Sequence, residues 1–159
     1  MPDLHRPVLI CFDDSPGARH AVTEAATLFP GAAAVVLHVW RPLEATAAYR
    51  YSAAGVTGAL DEQMRELDAA GQEAAQAIAE RGAELAGEAG LSAEPRAVKL
   101  DDHEDLAVRS VADEVDARVI VMGSRQLGPL QAIALGGFSH GVLHSSDRPV
   151  LIVPGRETQ

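Results

Sequence analysis

Two short segments carry residue types that can together hold a phosphorylated ligand. Asp13-Asp14-Ser15 directly follows the apolar run Val8–Phe12 (VLICF). Gly123-Ser124 directly follows Val119–Met122 (VIVM), and Gly136-Gly137 stands further on, just before a helical stretch. A glycine at a strand end lets the chain turn without placing a side chain in the crevice. Paired glycines let the backbone approach a ligand closely before entering a helix. The first N–H groups of that helix have no internal partners and carry partial positive charge. Amides converging in this way make an anion site. Spacing alone leaves a second reading open, two flexible turns with no ligand.

The remaining candidates are weaker by type. Asp13-Asp14 can serve a helix start, a ribose, or Mg²⁺ brought in by a nucleotide. Arg19 and Arg125 can offset phosphate charge. Ser139 can cap the last helix or contact a phosphate. His140 and His144 are four apart on that helix, a zinc-compatible spacing, but no third ligand accompanies them. No metal site is therefore expected. The Asp101–Asp105 cluster reads as the acidic start of a helix, with the right sign for its dipole. His38 lies inside an apolar run and reads as a core or inter-strand residue. No Ser-His-Asp or Cys-His spacing suggests a nucleophile system, so no catalytic residues are assigned.

Five β-type runs must position these residues: Val8–Phe12, Ala34–Val39, Arg96–Leu100, Val119–Met122 and Val150–Val153. Four are nearly continuous apolar residues, as in strands covered on both faces. The third is more polar and belongs at an edge. Four helical stretches separate them. The first opens at Ser15-Pro16 (a good N-cap, then proline at the first helical position) and ends near Phe29-Pro30-Gly31. The second spans about Gly58 to Gly87, with Leu60, Met64, Leu67, Ala74, Ile78 and Leu85 at three- and four-residue steps. That stripe resembles a coiled-coil seam; the alternative is a long Ala-rich helix lying on the sheet. The third runs from about Glu104 to Val115 with Leu106, Val108 and Val111 inward. The fourth starts near Phe138 and ends before Asp147. Strand–helix alternation of this kind predicts an α/β fold, a parallel sheet with helices on both faces. Ligands bind such sheets beyond the carboxyl ends of the strands, where the strand order reverses. If strands one and four are neighbours, the two segments face one crevice. Pro42–Thr57 reads as a long surface loop and Gly155–Gln159 as a loose tail.

The chain has 159 residues, enough for one domain with a real core, and residues 1–159 are read as a single domain. Its formal net charge of −10 repels nucleic acid and anionic lipid, so neither is an expected partner. No apolar run reaches the ~18 residues of a membrane span. With a single cysteine, Cys11, no intrachain disulfide can form, and that thiol reads as a buried small hydrophobe. No signal-peptide layout opens the chain, and the expected compartment is the cytoplasm.

The segments VLICFDDSPGARHAV, VLHVWRP and ARVIVMGSRQLGPLQAIALGGFSHGVLHSSDRPVLIVP resemble the opening strand and helix, the second strand and the C-terminal block of the universal stress protein (UspA-like) family. The resemblance spans most of the chain and is weakest between Leu43 and Leu100. It implies a five-stranded, doubly wound Rossmann-like sheet in order 3-2-1-4-5, which makes strands one and four neighbours. It also implies a homodimer, expected to pair through the apolar last strand Val150–Val153, and a stress-response role with an unidentified protein partner.

Members of that family that bind ATP carry Gly-x-x-Gly, nine residues, then Gly-Ser/Thr. The first and third glycines match Gly123 and Gly136. Asp13 matches an acidic residue that takes a ribose or adenine contact, and Val39 one that packs on adenine. The implied contact set for ATP or a related adenine nucleotide, with or without Mg²⁺, is Asp13, Val39, Met122, Gly123, Arg125, Gly136, Gly137 and Phe138. The chain departs from the pattern at Gln126 and Gly137. A left-handed backbone at Gln126 would cost about 1–2 kcal/mol. The hydroxyl missing at Gly137 would cost about 1 kcal/mol. Together they weaken affinity by roughly a hundredfold, at about 1.4 kcal/mol per tenfold. Two expectations follow: a regulatory adenine-nucleotide binder with at most slow hydrolysis, or a protein of the same fold that acts through protein partners without nucleotide.

Overall fold

The computed structural model describes residues 5–42, 59–100, 103–124 and 137–155. Among these residues five strands and four helices alternate: β1 (Val8–Cys11), α1 (Pro16–Leu28), β2 (Ala33–Trp40), α2 (Ala59–Glu88), β3 (Ser92–Lys99), α3 (Glu104–Glu114), β4 (Val119–Gly123), α4 (Gly137–Ser145) and β5 (Val150–Val153). The strands form one sheet in the order β3-β2-β1-β4-β5, with every pairing parallel. The α/β expectation and the strand order both hold.

Alternation along the central strands divides the core. Val8, Ile10, Val36 and Val121 face one side, packed with the alanines of α1 and α2. Leu9, Leu37, Ile120 and Met122 face the other, under Val108 and Val111 of α3 and Val142 of α4. Both faces of β1 are covered, so all four of its residues are buried. That explains its unbroken apolar run.

The polar third run is an edge strand, as expected, but it starts earlier. It covers Ser92–Lys99 rather than Arg96–Leu100, pairing from Ala33↔Ser92 to Trp40↔Lys99. An edge strand tolerates the polar start and Pro95 because it pairs on one side only.

Only part of the α2 seam faces the core. Ile78 and Leu85 pack against it beside buried Ala75, Ala79 and Ala86, whereas Leu67 is 49% exposed. A Cβ on Gly82 would lie 2.6 Å from Phe12 Cδ1 and 2.7 Å from Val36 Cγ1. A Cβ on Gly71 would lie 2.9 Å from the Trp40 ring. Small residues let this helix lie close on the sheet, so the Ala-rich reading holds. Leu60 falls among residues whose side chains are not described. Leu106 was expected inward with Val108 and Val111, but it is 47% exposed and only the other two are buried. Most of the Pro42–Thr57 stretch, Asp101, Asp102 and the tail beyond Gly155 lie outside the described residues. Among the described residues, no helix is long and apolar enough to cross a membrane.

Candidate functional site

The β1–α1 turn is built from three side chains with different tasks. Ser15 caps α1, its hydroxyl accepting from the Ala18 amide at 3.2 Å. The Asp13 carboxylate accepts from the Ser15 amide at 3.1 Å, which closes a local turn. Asp14 has φ 63, in the left-handed region that L residues rarely enter. Its carboxylate meets Arg19 Nη2 at 2.5 Å and Arg81 Nε at 3.0 Å. Burial pushes its pKa up, but hydrogen bonds from Arg81 and Arg19 outweigh that and hold it below the usual carboxylate range. Arg19, expected to face phosphate, is thus engaged by Asp14, and Asp14 is engaged before any Mg²⁺ can use it.

β1 and β4 are neighbours, so this turn abuts Gly123. A Cβ on Gly123 would lie 2.5 Å from the carbonyl oxygen of Gly17. Gly123 is therefore required by the close approach of α1. Its φ is not positive, unlike those of Gly31 and Gly90, so no special turn conformation is involved. Ser124 N–H then donates to Val153 O at 2.8 Å.

Between these turns and the start of α4 lies a cleft of about 930 Å³. Asp13, Val39, Met122, Gly123, Gly137 and Phe138 all border it. Arg125, Gln126 and Gly136 lie outside the described residues. Gly137 begins α4, so its helix end contributes amides without helical partners. Among the described residues, nothing lies within 4 Å of a Cβ placed there. Ser139 is buried at the cleft but sits inside the helix, so it does not cap it.

His38, Glu104 and His20 also border the cleft, and the sequence reading did not assign them to it. His38 Nδ1 lies 2.8 Å from the Phe12 carbonyl oxygen. A carbonyl only accepts, so Nδ1 carries the proton and the ring ties β2 to β1. His38 is the inter-strand residue expected and a cleft residue besides. Glu104 stands at the start of α3, 3.9 Å from Arg41 Nη2. The rule that sites form beyond strand ends, applied to β3, would have found it.

The cleft thus has an apolar wall of Leu37, Val39 and Met122 and a polar rim of Asp13, Ser15, Ser124 and helix-end amide. That suits a flat ring joined to a polar, anionic group. Cys11 also borders it, but burial, helped by the nearby Asp13 charge, pushes the thiol up to about 12. It is neutral and a poor nucleophile. Among the described residues no group of three or more His, Cys, Asp or Glu is placed to hold a metal ion. The His140 and His144 rings pack on each other, with centroids 4.3 Å apart.

The description "Universal stress protein family" belongs to a family model that matches residues 5–154. Among solved structures, the protein MJ0577, subject of a structure-based functional assignment, is similar with TM-score 0.72 and 20% identity, over 98% of this chain and 99% of that one. The universal stress protein from Archaeoglobus fulgidus in complex with dAMP is 19% identical over 94% of this chain and 98% of that one, with TM-score 0.59. A universal stress protein in complex with cAMP is 22% identical over 96% and 98%, with TM-score 0.61. No match is found among curated proteins.

Proposed function

Because this chain belongs to the universal stress protein family, we propose that its cleft binds an adenine nucleotide as a regulatory ligand in a stress response. One observation carries the reading. Every described member of the expected contact set, from Asp13 in the turn after β1 to Phe138 on α4, borders the same cleft. Structural neighbours in complex with dAMP and cAMP support the ligand class.

In this reading Asp13 holds the ribose and Val39 packs on the base. Backbone at Gly123, Gly136 and Gly137 meets the phosphates. The net charge of −10 opposes a tetra-anion, so the Mg²⁺ complex of ATP enters more readily than free ATP. Binding rather than turnover is the proposed activity, with hydrolysis slow at most; Cys11 at the cleft, held neutral by burial, is a poor nucleophile. The protein works in the cytoplasm, where adenine nucleotides are abundant, as a homodimer. Leu151 and Ile152 of the edge strand β5 are only half-buried, which supports pairing of that strand with a second copy.

Titration with ATP, ADP, AMP and cyclic AMP, each with Mg²⁺, tests this. Saturable binding of at least one nucleotide below millimolar supports it. A second reading, an interaction protein without nucleotide, is favoured by Gly137, where a hydroxyl is missing. It predicts no binding at millimolar nucleotide.

A further inference from the structure

Among the described residues, the two non-glycine residues with left-handed backbone are both aspartates, Asp14 (φ 63) and Asp116 (φ 50). Each carboxylate is held by two arginines. Asp14 meets Arg19 of α1 and Arg81 of α2. Asp116 meets Arg6 Nη2 at 2.5 Å and Arg148 Nη1 at 3.3 Å. The device is the same, but the places differ. Asp116 precedes β4, at the end of the sheet away from the cleft. Asp14 sits between Asp13 and the α1 cap Ser15, both of which border the cleft.

Rotation at Asp14 swings Asp13 relative to Ser15, so whatever fixes the Asp14 backbone also aims the Asp13 carboxylate. Aspartate tolerates this conformation better than most residues but does not enforce it. A rare backbone state persists where surrounding contacts over-determine it. Here those contacts are two guanidiniums on two helices.

We propose that Asp14 is a positioning residue: shared between Arg19 and Arg81, it locks the β1–α1 turn so that Asp13 is aimed at the ribose of the bound nucleotide. This rests on the reading above that Asp13 holds the ribose. It makes α2 a determinant of sugar recognition, although no described residue of α2 borders the cleft.

Simple affinity is a poor readout, because losing Asp14 frees Arg19 and Arg81 to attract phosphate. The preference for ATP over 2′,3′-dideoxy-ATP cancels that effect, since both carry the same phosphates. The wild type is expected to prefer ATP about tenfold, the equivalent of about 1.4 kcal/mol. Asp14→Asn retains side-chain size and tolerance of the left-handed state but loses the charge. It and Arg81→Gln are expected to cut the preference below about threefold, and Arg81→Lys to restore most of it. Asp116→Asn is expected to lower Tm and leave the preference intact. An unchanged preference in Asp14→Asn, or an equal loss in Asp116→Asn, overturns the proposal. If the wild type shows no sugar preference, or binds no nucleotide, the ribose role of Asp13 fails, and the proposed sugar recognition falls with it. Amide exchange at Ser15 then reports on the lock alone. Faster exchange by about tenfold in Asp14→Asn and Arg81→Gln preserves the lock. Unchanged exchange removes that too.

Discussion

The carbonyl oxygen of Gly17 stands 2.5 Å from the point a Cβ on Gly123 would occupy. The first turn of α1 and the last residue of β4 therefore touch backbone to backbone, and that contact brings the two halves of the cleft together. Gly123→Ala forces them apart. The expected cost is about 1–3 kcal/mol, a Tm lower by roughly 2–12 °C at about 2–4 °C per kcal/mol. Thermal unfolding checks it; an unchanged Tm would mean the contact is looser than it looks.

Gly137 is the opposite case. Among the described residues nothing lies within 4 Å of its missing Cβ, so Gly137→Ser displaces none of them. Because Gly137 is the first residue of α4, the change is expected to stabilise by only roughly a few tenths of a kcal/mol. Combined with Gln126→Gly, it is expected to tighten nucleotide binding by up to roughly a hundredfold, from the relieved backbone cost and the restored hydroxyl together, at about 1.4 kcal/mol per tenfold. Calorimetric titration of the double variant measures this. If it binds no better than wild type, the account of the two departures is wrong.

The two glycines Gly82 and Gly87 of α2 separate packing from helix propensity. Gly82 lies against buried Phe12 and Val36, whereas a Cβ on Gly87 meets nothing within 4 Å. Gly87→Ala is expected to stabilise by roughly 0.5–1 kcal/mol. Gly82→Ala is expected to destabilise by about 1–2 kcal/mol, because overpacking outweighs the same propensity gain. Denaturant midpoints of the pair should move in opposite directions.

Cys11 is expected to resist thiol reagents in the native protein and to react at once in denaturant, because burial keeps its thiol neutral up to about 12. The ordinary value is 9.0, so the folded state holds this proton more tightly than the unfolded chain. Its contribution to stability is complete below about pH 9 and is lost as pH rises toward about 12. Reagent kinetics with and without denaturant check the first point, and chemical unfolding at pH 8 and pH 10 the second.

The central strands were legible because burial on both faces leaves unbroken apolar runs such as VLIC and VIVM. The start of β3 was not, since Ser92, Glu94 and Pro95 need only one neighbour and little burial. The α2 stripe was only partly informative: Ile78 and Leu85 do pack on the core, but Leu67 is exposed. Large apolar residues at helical spacing look like a core face, yet close packing on β2 demanded the glycines and alanines between them. At the cleft, Asp13 and Gly123 could be located from their places after strands. The reason Gly123 must be glycine could not, because it depends on where Gly17 lies. Asp14 was equally opaque, since Arg81 reaches it from 67 residues away.

Amide and methyl shift mapping during an ATP·Mg²⁺ titration tests the central claim most directly. The account predicts saturable shifts concentrated at Asp13, Val39, Met122, Gly123 and Gly137, on both sides of the β1/β4 ends. No shifts at millimolar nucleotide, or shifts gathered along β5 or the exposed face of α2, would contradict it.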